Sequence, residues 1–186
     1  MIMRYARTAL FCGLICLLAF FDFGCRKEET SDVTPDSEAQ RVALEARFAE
    51  FDVKAAELPH EPIETNEDGM YVLKDVNFME AVNEGGILVV DFWMDDCYPC
   101  EDMEPIIKGL ARQYKDQVRF AKLHVNTNMI MPEKYGVRML PSFAFFVDGK
   151  YLGTLTGMQS PEQMRMIIDK TLIDFHAKQD ELHPEN

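Results

Sequence analysis

The sequence predicts an α/β protein with a mixed central sheet, helices on both faces and one extra N-terminal helix. Residues 87–94 (ILVVDFWM) form an almost continuous apolar run, which is typical of a strand buried on both faces of a sheet. Strand and helix patterns alternate from residue 70 to residue 135, which favours parallel strands joined by right-handed crossovers. Residues 142–156 predict two further strands joined by a tight turn at Asp148-Gly149, so the sheet also has antiparallel pairs.

The individual elements follow from local patterns. Strands are predicted at 70–75, 87–94, 118–125, 142–147 and 150–156, and helices at 38–58, 77–83, 99–114, 131–135 and 160–176. Pro99 suits the first turn of its helix, and Ser160 with Gln163 has the spacing of a capping box. The helix at 38–58 ends before Pro59, and we interpret it as a packing or spacing element added to the domain.

Composition divides the chain into segments with different properties. They are a signal-like segment 1–25, a flexible tether 26–37, a helical extension 38–62, the main domain 63–178 and a tail 179–186. The tether is polar and lacks aromatic residues, so it has too little apolar surface to form a core. The formal net charge of −13 repels phosphate backbones and anionic lipid surfaces, which excludes nucleic acid as an expected partner.

The first residues have the layout of a secretory signal. Arg4 and Arg7 precede the apolar run Thr8–Phe21, and the run stops abruptly at Asp22. This run is shorter than the ~20 residues that a membrane-spanning helix needs. Because the positive start stays inside, the segment predicts an exported domain in the periplasm or cell envelope.

The end of this segment is similar to a bacterial lipoprotein signal. Gly24 precedes Cys25, the residue that would receive the lipid, although Asp22 stands where an aliphatic residue is usual. Two interpretations stay open, namely lipidation at Cys25 and an uncleaved N-terminal anchor. Both tether the domain to a membrane.

The cysteines limit the chemistry of the main domain. Of the five cysteines in the chain, only Cys97 and Cys100 lie within it, too few for a disulfide framework or a four-cysteine zinc site. A Cys-x-x-Cys pair at a helix N-terminus favours a thiolate, so Cys97 can attack a disulfide and Cys100 can resolve the product. Half of a zinc site and an inert structural disulfide are the other interpretations. We expect no metal, and no cofactor beyond the redox-active Cys97–Cys100 disulfide itself.

Three stretches of the main domain resemble thioredoxin. They are VVDFWMDDCYPC, AKLHVN and KYGVRMLPSFAFFVDGK, and they occur in the order that this family has, within residues 70–175. The resemblance implies the thioredoxin fold and a thiol–disulfide oxidoreductase that acts on protein disulfides.

The resemblance also implies supporting catalytic residues. Asp91 matches the buried aspartate that relays a proton to the resolving cysteine, which here is Cys100. A lone carboxyl in an apolar strand is costly to bury as an anion, so burial should raise its pKa. Lys122 matches the lysine that pairs with this aspartate.

Substrate contacts are implied at a further set of residues. Trp93 matches a tryptophan that packs beside the site, and Tyr98 and Pro99 stiffen the loop between the two cysteines. Pro141 matches a proline that faces the disulfide, so the Leu140-Pro141 bond should be cis. The Leu140 backbone should then pair with an extended substrate segment.

Acidic residues around the pair depart from the family pattern. Asp96 and Glu101 stand where the family has tryptophan and a cation, and Asp95 and Asp102 add to this acidic rim. Negative charge disfavours a thiolate, which makes the dithiol a stronger reductant. We therefore expect a reductase that takes electrons from a membrane donor of the thiol–disulfide transporter type. A disulfide oxidase or isomerase, and a non-enzymatic binding or assembly module, are the alternatives.

Overall fold

The computed structural model describes residues 38–182. Its strands are β1 (Glu64–Thr65), β2 (Tyr71–Leu73), β3 (Ile87–Trp93), β4 (Val118–His124), β5 (Ser142–Val147) and β6 (Lys150–Thr156). Its helices are α1 (Glu38–Ala56), α2 (Phe78–Asn83), α3 (Tyr98–Gln113), α4 (Ile130–Lys134) and α5 (Pro161–Leu182). Among these helices of residues 38–182, none is long and apolar enough to span a membrane. The predicted signal segment, the tether and Cys25 lie outside the described residues.

The strands form one mixed sheet in the order β1-β2-β4-β3-β5-β6. The central strand β3 pairs in parallel with β4 and in antiparallel with β5, and β6 continues the sheet as the hairpin partner of β5. Strand β2 pairs in parallel with the other side of β4. The predicted mixed sheet is therefore confirmed.

The central strand alternates between two apolar layers. Val89 packs in one layer with residues of α3 and α5, while Leu88 and Val90 pack in the other with residues of α1, α2 and α4. This alternation has the period of two that a strand imposes on its side chains. Helices thus cover both faces of the sheet, as predicted, and Asp91 lies on the same face as Val89, beneath α3.

Two elements differ from the sequence prediction. Helix α5 continues to Leu182, beyond the predicted end near His176 and into the predicted tail. Residues 177–182 contain neither Gly nor Pro and are mostly good helix formers, so nothing local stops the helix earlier. Strand β1 was not predicted, because two exposed residues are too few to show a periodic pattern. The capping box at the start of α5 is present, with Ser160 and Gln163 exchanging hydrogen bonds.

Helix α1 packs on the domain through a short apolar stripe and one ion pair. Phe51 and Ala55 are buried, whereas Val42 and Val53 are exposed. The Asp52 carboxylate pairs with the ammonium of Lys134 in α4, and the Lys134 side chain is only 2% exposed. Packing, as predicted, is therefore a role of this helix. The helix also supplies the counter-ion for the buried ammonium of Lys134.

We expect Asp52→Asn to lower the free energy of unfolding by about 1–3 kcal/mol, because the substitution leaves a buried ammonium without its counter-ion. Urea denaturation of the oxidised protein measures this loss. The matched control is Glu50→Gln, which breaks the exposed Glu50–Lys54 pair on the same helix and should leave the unfolding midpoint unchanged. Equal midpoints for the two variants would show that the Asp52 pair adds no stability.

Candidate functional site

The two cysteines lie where β3 ends and α3 begins. Cys97 is the N-cap residue of α3, and its carbonyl oxygen accepts hydrogen bonds from the backbone N–H groups of Cys100 (2.9 Å) and Glu101 (3.0 Å). Cys97 and Cys100 are joined by a disulfide bond. The pair therefore occupies the positive end of a sixteen-residue helix, a position that favours a thiolate when the bond is reduced.

The loop between the cysteines is presented to solvent. Tyr98 is 79% exposed and Pro99 is also exposed, whereas each of the two cysteines is less than 10% exposed. A substrate would therefore meet the Tyr98 ring and the Pro99 ring before it reached the disulfide. The residue before Cys97, Asp96, has a positive φ of 57°, a backbone conformation that aspartate tolerates better than most side chains.

A cleft of about 260 Å³ opens beside the disulfide. It is lined by Asp91, Trp93, Met94, Asp95, Asp96, Cys100, Glu101, Glu104 and Lys122. The lining is strongly acidic, with Lys122 as its one basic residue. Within residues 38–182, no cluster of His, Cys, Asp and Glu has the arrangement of a metal site.

Asp91 is the buried member of this acidic set. Its side chain is on the sheet face beneath α3, the residue is 5% exposed, and Oδ1 has no hydrogen-bond partner. Burial raises the pKa of Asp91 to about 7, the Lys122 ammonium opposes this rise, and the Glu104 carboxylate adds to it. A carboxyl with such a pKa can gain or lose a proton near neutral pH, as an acid–base group must. Its predicted burial is confirmed; its role in proton transfer stays a prediction.

Lys122 is placed as predicted but bonded differently. The parallel register sets Lys122 of β4 beside Asp91 of β3. Its Nζ atom nevertheless donates to Oε1 of Glu104 at 3.0 Å, and it lies 4.5 Å from the centroid of the Trp93 ring. The expected ion pair between Lys122 and Asp91 is therefore replaced by one with Glu104, whose carboxylate is 41% exposed and costs less to keep charged.

Trp93 lines the cleft and packs against His124, a residue that the sequence did not single out for function. The rings of Trp93 and His124 make an edge contact, with their centroids 4.8 Å apart. The His124 Nε2 atom lies 3.3 Å from the backbone nitrogen of Asp95 and 3.2 Å from its Oδ2. The only sequence signal for this contact is that β3 and β4 end side by side, with Trp93 opposite His124.

The loop before β5 reaches the same edge of the sheet. Ser142, the first residue of β5, pairs with Phe92 near the end of β3, so Pro141 lies beside the strand that leads to Cys97. The Leu140-Pro141 bond is cis, as predicted. Met139, just before this bond, is 62% exposed and adds an apolar side chain to the surface of this loop.

The structure thus brings the predicted residues of the main domain to one end of the sheet. Asp91, Trp93 and Lys122 line one cleft with Cys100, and the cis-proline loop lies beside the end of β3. Sequence reasoning missed Glu104 and His124. Glu104 lies four residues after Cys100, the helix spacing that sets two side chains on one face, so a signal for it was present.

A buried carboxyl with a raised pKa, a Cys-x-x-Cys disulfide at a helix N-terminus and a cis-proline at the same end of the sheet are the features of a thiol–disulfide oxidoreductase. Thiolate exchange needs a stabilised nucleophile, a resolving thiol within bonding reach and a proton acceptor, and the site contains a candidate for each.

Comparison with known proteins agrees with this chemistry. The thioredoxin family model matches residues 69–170. Thioredoxin 1 of Synechococcus elongatus is 33% identical over 99 residues, which are 53% of this chain and 92% of that protein. Thioredoxin of Pseudomonas aeruginosa is 31% identical over 99 residues with the same shares. A chloroplastic M-type thioredoxin of Brassica napus is 39% identical over 85 residues, 46% of this chain and 48% of that protein.

The chain therefore belongs to the thioredoxin family. Its disulfide oxidoreductase chemistry lies within the matched region, while residues 1–68 extend beyond it.

The buried carboxyl predicts a pH-dependent stability. Burial raises the pKa of Asp91 from 3.8 to about 7, so the folded state holds a proton that the unfolded state has already lost between these values. The contribution of the protonated Asp91 carboxyl to the free energy of unfolding is thus present at low pH and is lost as the pH rises toward 7. Relative to Asp91→Asn, the native oxidised protein should lose roughly 2–3 kcal/mol between pH 5 and pH 8.

Urea denaturation of both proteins across this pH range measures the difference. Other titrating groups are common to the two proteins and cancel in the comparison. Stability curves that run parallel from pH 5 to pH 8 would contradict the raised pKa.

Proposed function

We propose that the protein is an exported disulfide reductase that acts on disulfides of extracytoplasmic proteins through the Cys97/Cys100 dithiol. The observation that carries the proposal is the position of this pair at the N-terminus of α3, beside a cleft that Cys100 lines together with the buried Asp91 and four further carboxylates, Asp95, Asp96, Glu101 and Glu104. The family supports the chemistry; the direction of electron flow and the location are the proposed parts.

The reaction has two exchange steps. The Cys97 thiolate attacks one sulfur of a substrate disulfide, and the other substrate sulfur leaves as a thiolate. Asp91 takes the proton from the Cys100 thiol, and the resulting thiolate attacks Cys97 in the mixed disulfide. The second substrate thiolate leaves, so the substrate gains two electrons and the protein ends as the Cys97–Cys100 disulfide.

The cleft and the loop next to it support these steps. A cleft of about 260 Å³ between Asp91 and Cys100 has room for water, through which a proton can pass between the two groups. The exposed Met139 and the cis Leu140-Pro141 bond lie in the loop before β5, where an extended substrate segment would pair with the Leu140 backbone. The acidic rim and this apolar surface would together form the substrate contact.

The acidic rim supports reduction as the direction. Asp95 and Asp96 precede Cys97, and Glu101 and Asp102 follow Cys100 in α3, with Glu101 in the first turn of the helix. Their negative charges act against the helix N-terminus and make a thiolate less favourable. A dithiol with a less stable thiolate gives up its electrons more readily, which is the property of a reductant.

The N-terminal segment supports the location. A basic start, an apolar run and Cys25 are what an exported lipoprotein would carry, and an uncleaved anchor would also hold the domain at a membrane. A reductase outside the cytoplasm has no soluble dithiol supply there. We therefore include a membrane donor of the thiol–disulfide transporter type as its source of electrons.

Activity tests the first part of the proposal. The full chain, once reduced, should reduce insulin disulfides, and Cys97→Ser should abolish this activity because the attacking thiolate is lost. Cys100→Ser should instead accumulate a mixed disulfide with the substrate at Cys97, which mass spectrometry detects. Insulin reduction by Cys97→Ser at the native rate would sink the enzymatic proposal in favour of a binding or assembly module.

The reduction potential tests the direction. We expect a value below about −200 mV from equilibration with glutathione. Neutralising the rim with Asp96→Asn and Glu101→Gln should raise the potential, because the thiolate then becomes more stable. A native value well above −200 mV would favour an oxidase or isomerase.

Cell fractionation tests the location. In a bacterial host the native chain should partition with membranes, and Cys25→Ala should release it or leave it unprocessed if Cys25 carries a lipid. An unchanged membrane fraction with unchanged mobility would favour the uncleaved anchor. Recovery of the native chain in the cytoplasmic fraction would overturn export.

A further inference from the structure

Glu104 joins the redox site to a chain of ion pairs. Its Oε1 atom lies 3.0 Å from Nζ of Lys122 and 3.4 Å from Nζ of Lys108. Lys108 in turn pairs with Asp68 at 3.1 Å, outside the cleft. Glu104 is also four residues after Cys100 on α3, so the two side chains share the helix face that covers the cleft.

Lys122 lies within reach of two carboxyl groups, and the structure shows which one it bonds. The strand register sets Lys122 beside Asp91, yet its ammonium donates to Glu104, and Oδ1 of Asp91 is left without a partner. The reason is desolvation. The Lys122 side chain is 14% exposed and that of Glu104 is 41% exposed, so their pair keeps contact with water. A pair with Asp91, which is 5% exposed, would lose that contact.

Asp91 therefore experiences opposing charges from the elements around it. Strand β4 contributes the Lys122 ammonium and α3 contributes the Glu104 carboxylate, while Asp95, Asp96 and Glu101 face the same cleft from its rim. Burial raises the pKa of Asp91, Lys122 lowers it and Glu104 raises it. Glu104 thus acts on Asp91 in two ways, through its own charge and through the cation that it holds.

We infer that Glu104 is a positioning residue, whose carboxylate holds the Lys122 ammonium on itself and so leaves the Asp91 carboxyl free to exchange a proton with Cys100. The inference rests on the proposed function, in which Asp91 takes the proton of the Cys100 thiol before Cys100 attacks the mixed disulfide. Without Glu104, the carboxyl that the strand register sets beside Lys122 is that of Asp91. An ion pair there would stabilise the carboxylate and make it a weaker base.

Infrared titration of the oxidised full chain tests this role directly. The Asp91 carboxyl band is assigned as the one that Asp91→Asn removes. In Glu104→Gln, the titration midpoint of this band should fall by about one pH unit or more, since an opposite charge within ~4–6 Å has an effect of that size. Glu104→Asp keeps the charge and should retain most of the native midpoint.

Two further variants distinguish the effect of releasing the Lys122 ammonium from the effect of simply removing the Glu104 charge. Glu101→Gln removes a carboxylate that lines the same cleft and has no ion pair with Lys122, so its midpoint should move much less. In a Lys122→Met background no cation is left to release, and Glu104→Gln should then have a smaller effect than in the native protein. The inference is overturned if Glu104→Gln moves the midpoint no further than Glu101→Gln, or equally far with and without Lys122.

Kinetics supply a readout that a merely structural role would not move. The rate at which Cys100 resolves a mixed disulfide formed at Cys97 should depend on the ionisation of Asp91. In Glu104→Gln the low-pH limb of this rate should shift with the infrared midpoint, whereas a packing defect would lower the rate at every pH without moving the limb. The oxidised protein titrates whether or not it reduces insulin, so failure of the infrared test and failure of the proposed function are distinguishable.

Discussion

The burial of one carboxyl group in the central strand constrains the rest of the site. All the residues of β3 from Ile87 to Phe92 except Asp91 have buried hydrocarbon side chains. Asp91 lies among them, and its Oδ1 atom has no hydrogen-bond partner. An isolated carboxylate is very costly in such surroundings, so the group keeps its proton to near neutral pH. A domain that folds with this side chain inside loses stability as the pH rises, and in the proposed mechanism the same carboxyl is the proton acceptor for Cys100.

Sheet topology brings the remaining parts of the site to that carboxyl. Because β3 and β4 are parallel, their carboxyl ends meet at one edge. At this edge His124 is the last residue of β4, and Cys97 follows the end of β3 after a short loop. Strand β5 runs the other way, so its first residue and the preceding cis-proline lie at this same edge. A mixed sheet thus places a helix N-terminus, a buried acid and the cis-proline loop together without any long insertion in the domain.

The sequence was sufficient for those parts of the site that depend on local pattern and strand order. The apolar run around Asp91 indicated burial, and the spacing of Cys97 and Cys100 at a helix start indicated redox chemistry. The choice of Lys122 between Asp91 and Glu104 was not predictable from strand order, because it depends on the exposure of two competing carboxyls. The end of α5 was also missed, since residues 177–182 contain no Gly or Pro that would mark where the helix ends.

Charge near the disulfide acts at two depths, and the two depths have different consequences. The dipole of α3 favours a thiolate by roughly 0.3–1 kcal/mol, and rim carboxylates such as Asp96 and Glu101 oppose it from exposed positions, where water and salt weaken each interaction. Asp91 is 5% exposed and the Lys122 side chain is 14% exposed, so the interaction between these two groups is screened less. In the proposed function, the sum of these weak rim interactions adjusts the thiolate stability of Cys97 and, with it, the direction of electron flow. In the same proposal, the buried Asp91 accepts the proton that Cys100 must lose to complete the exchange.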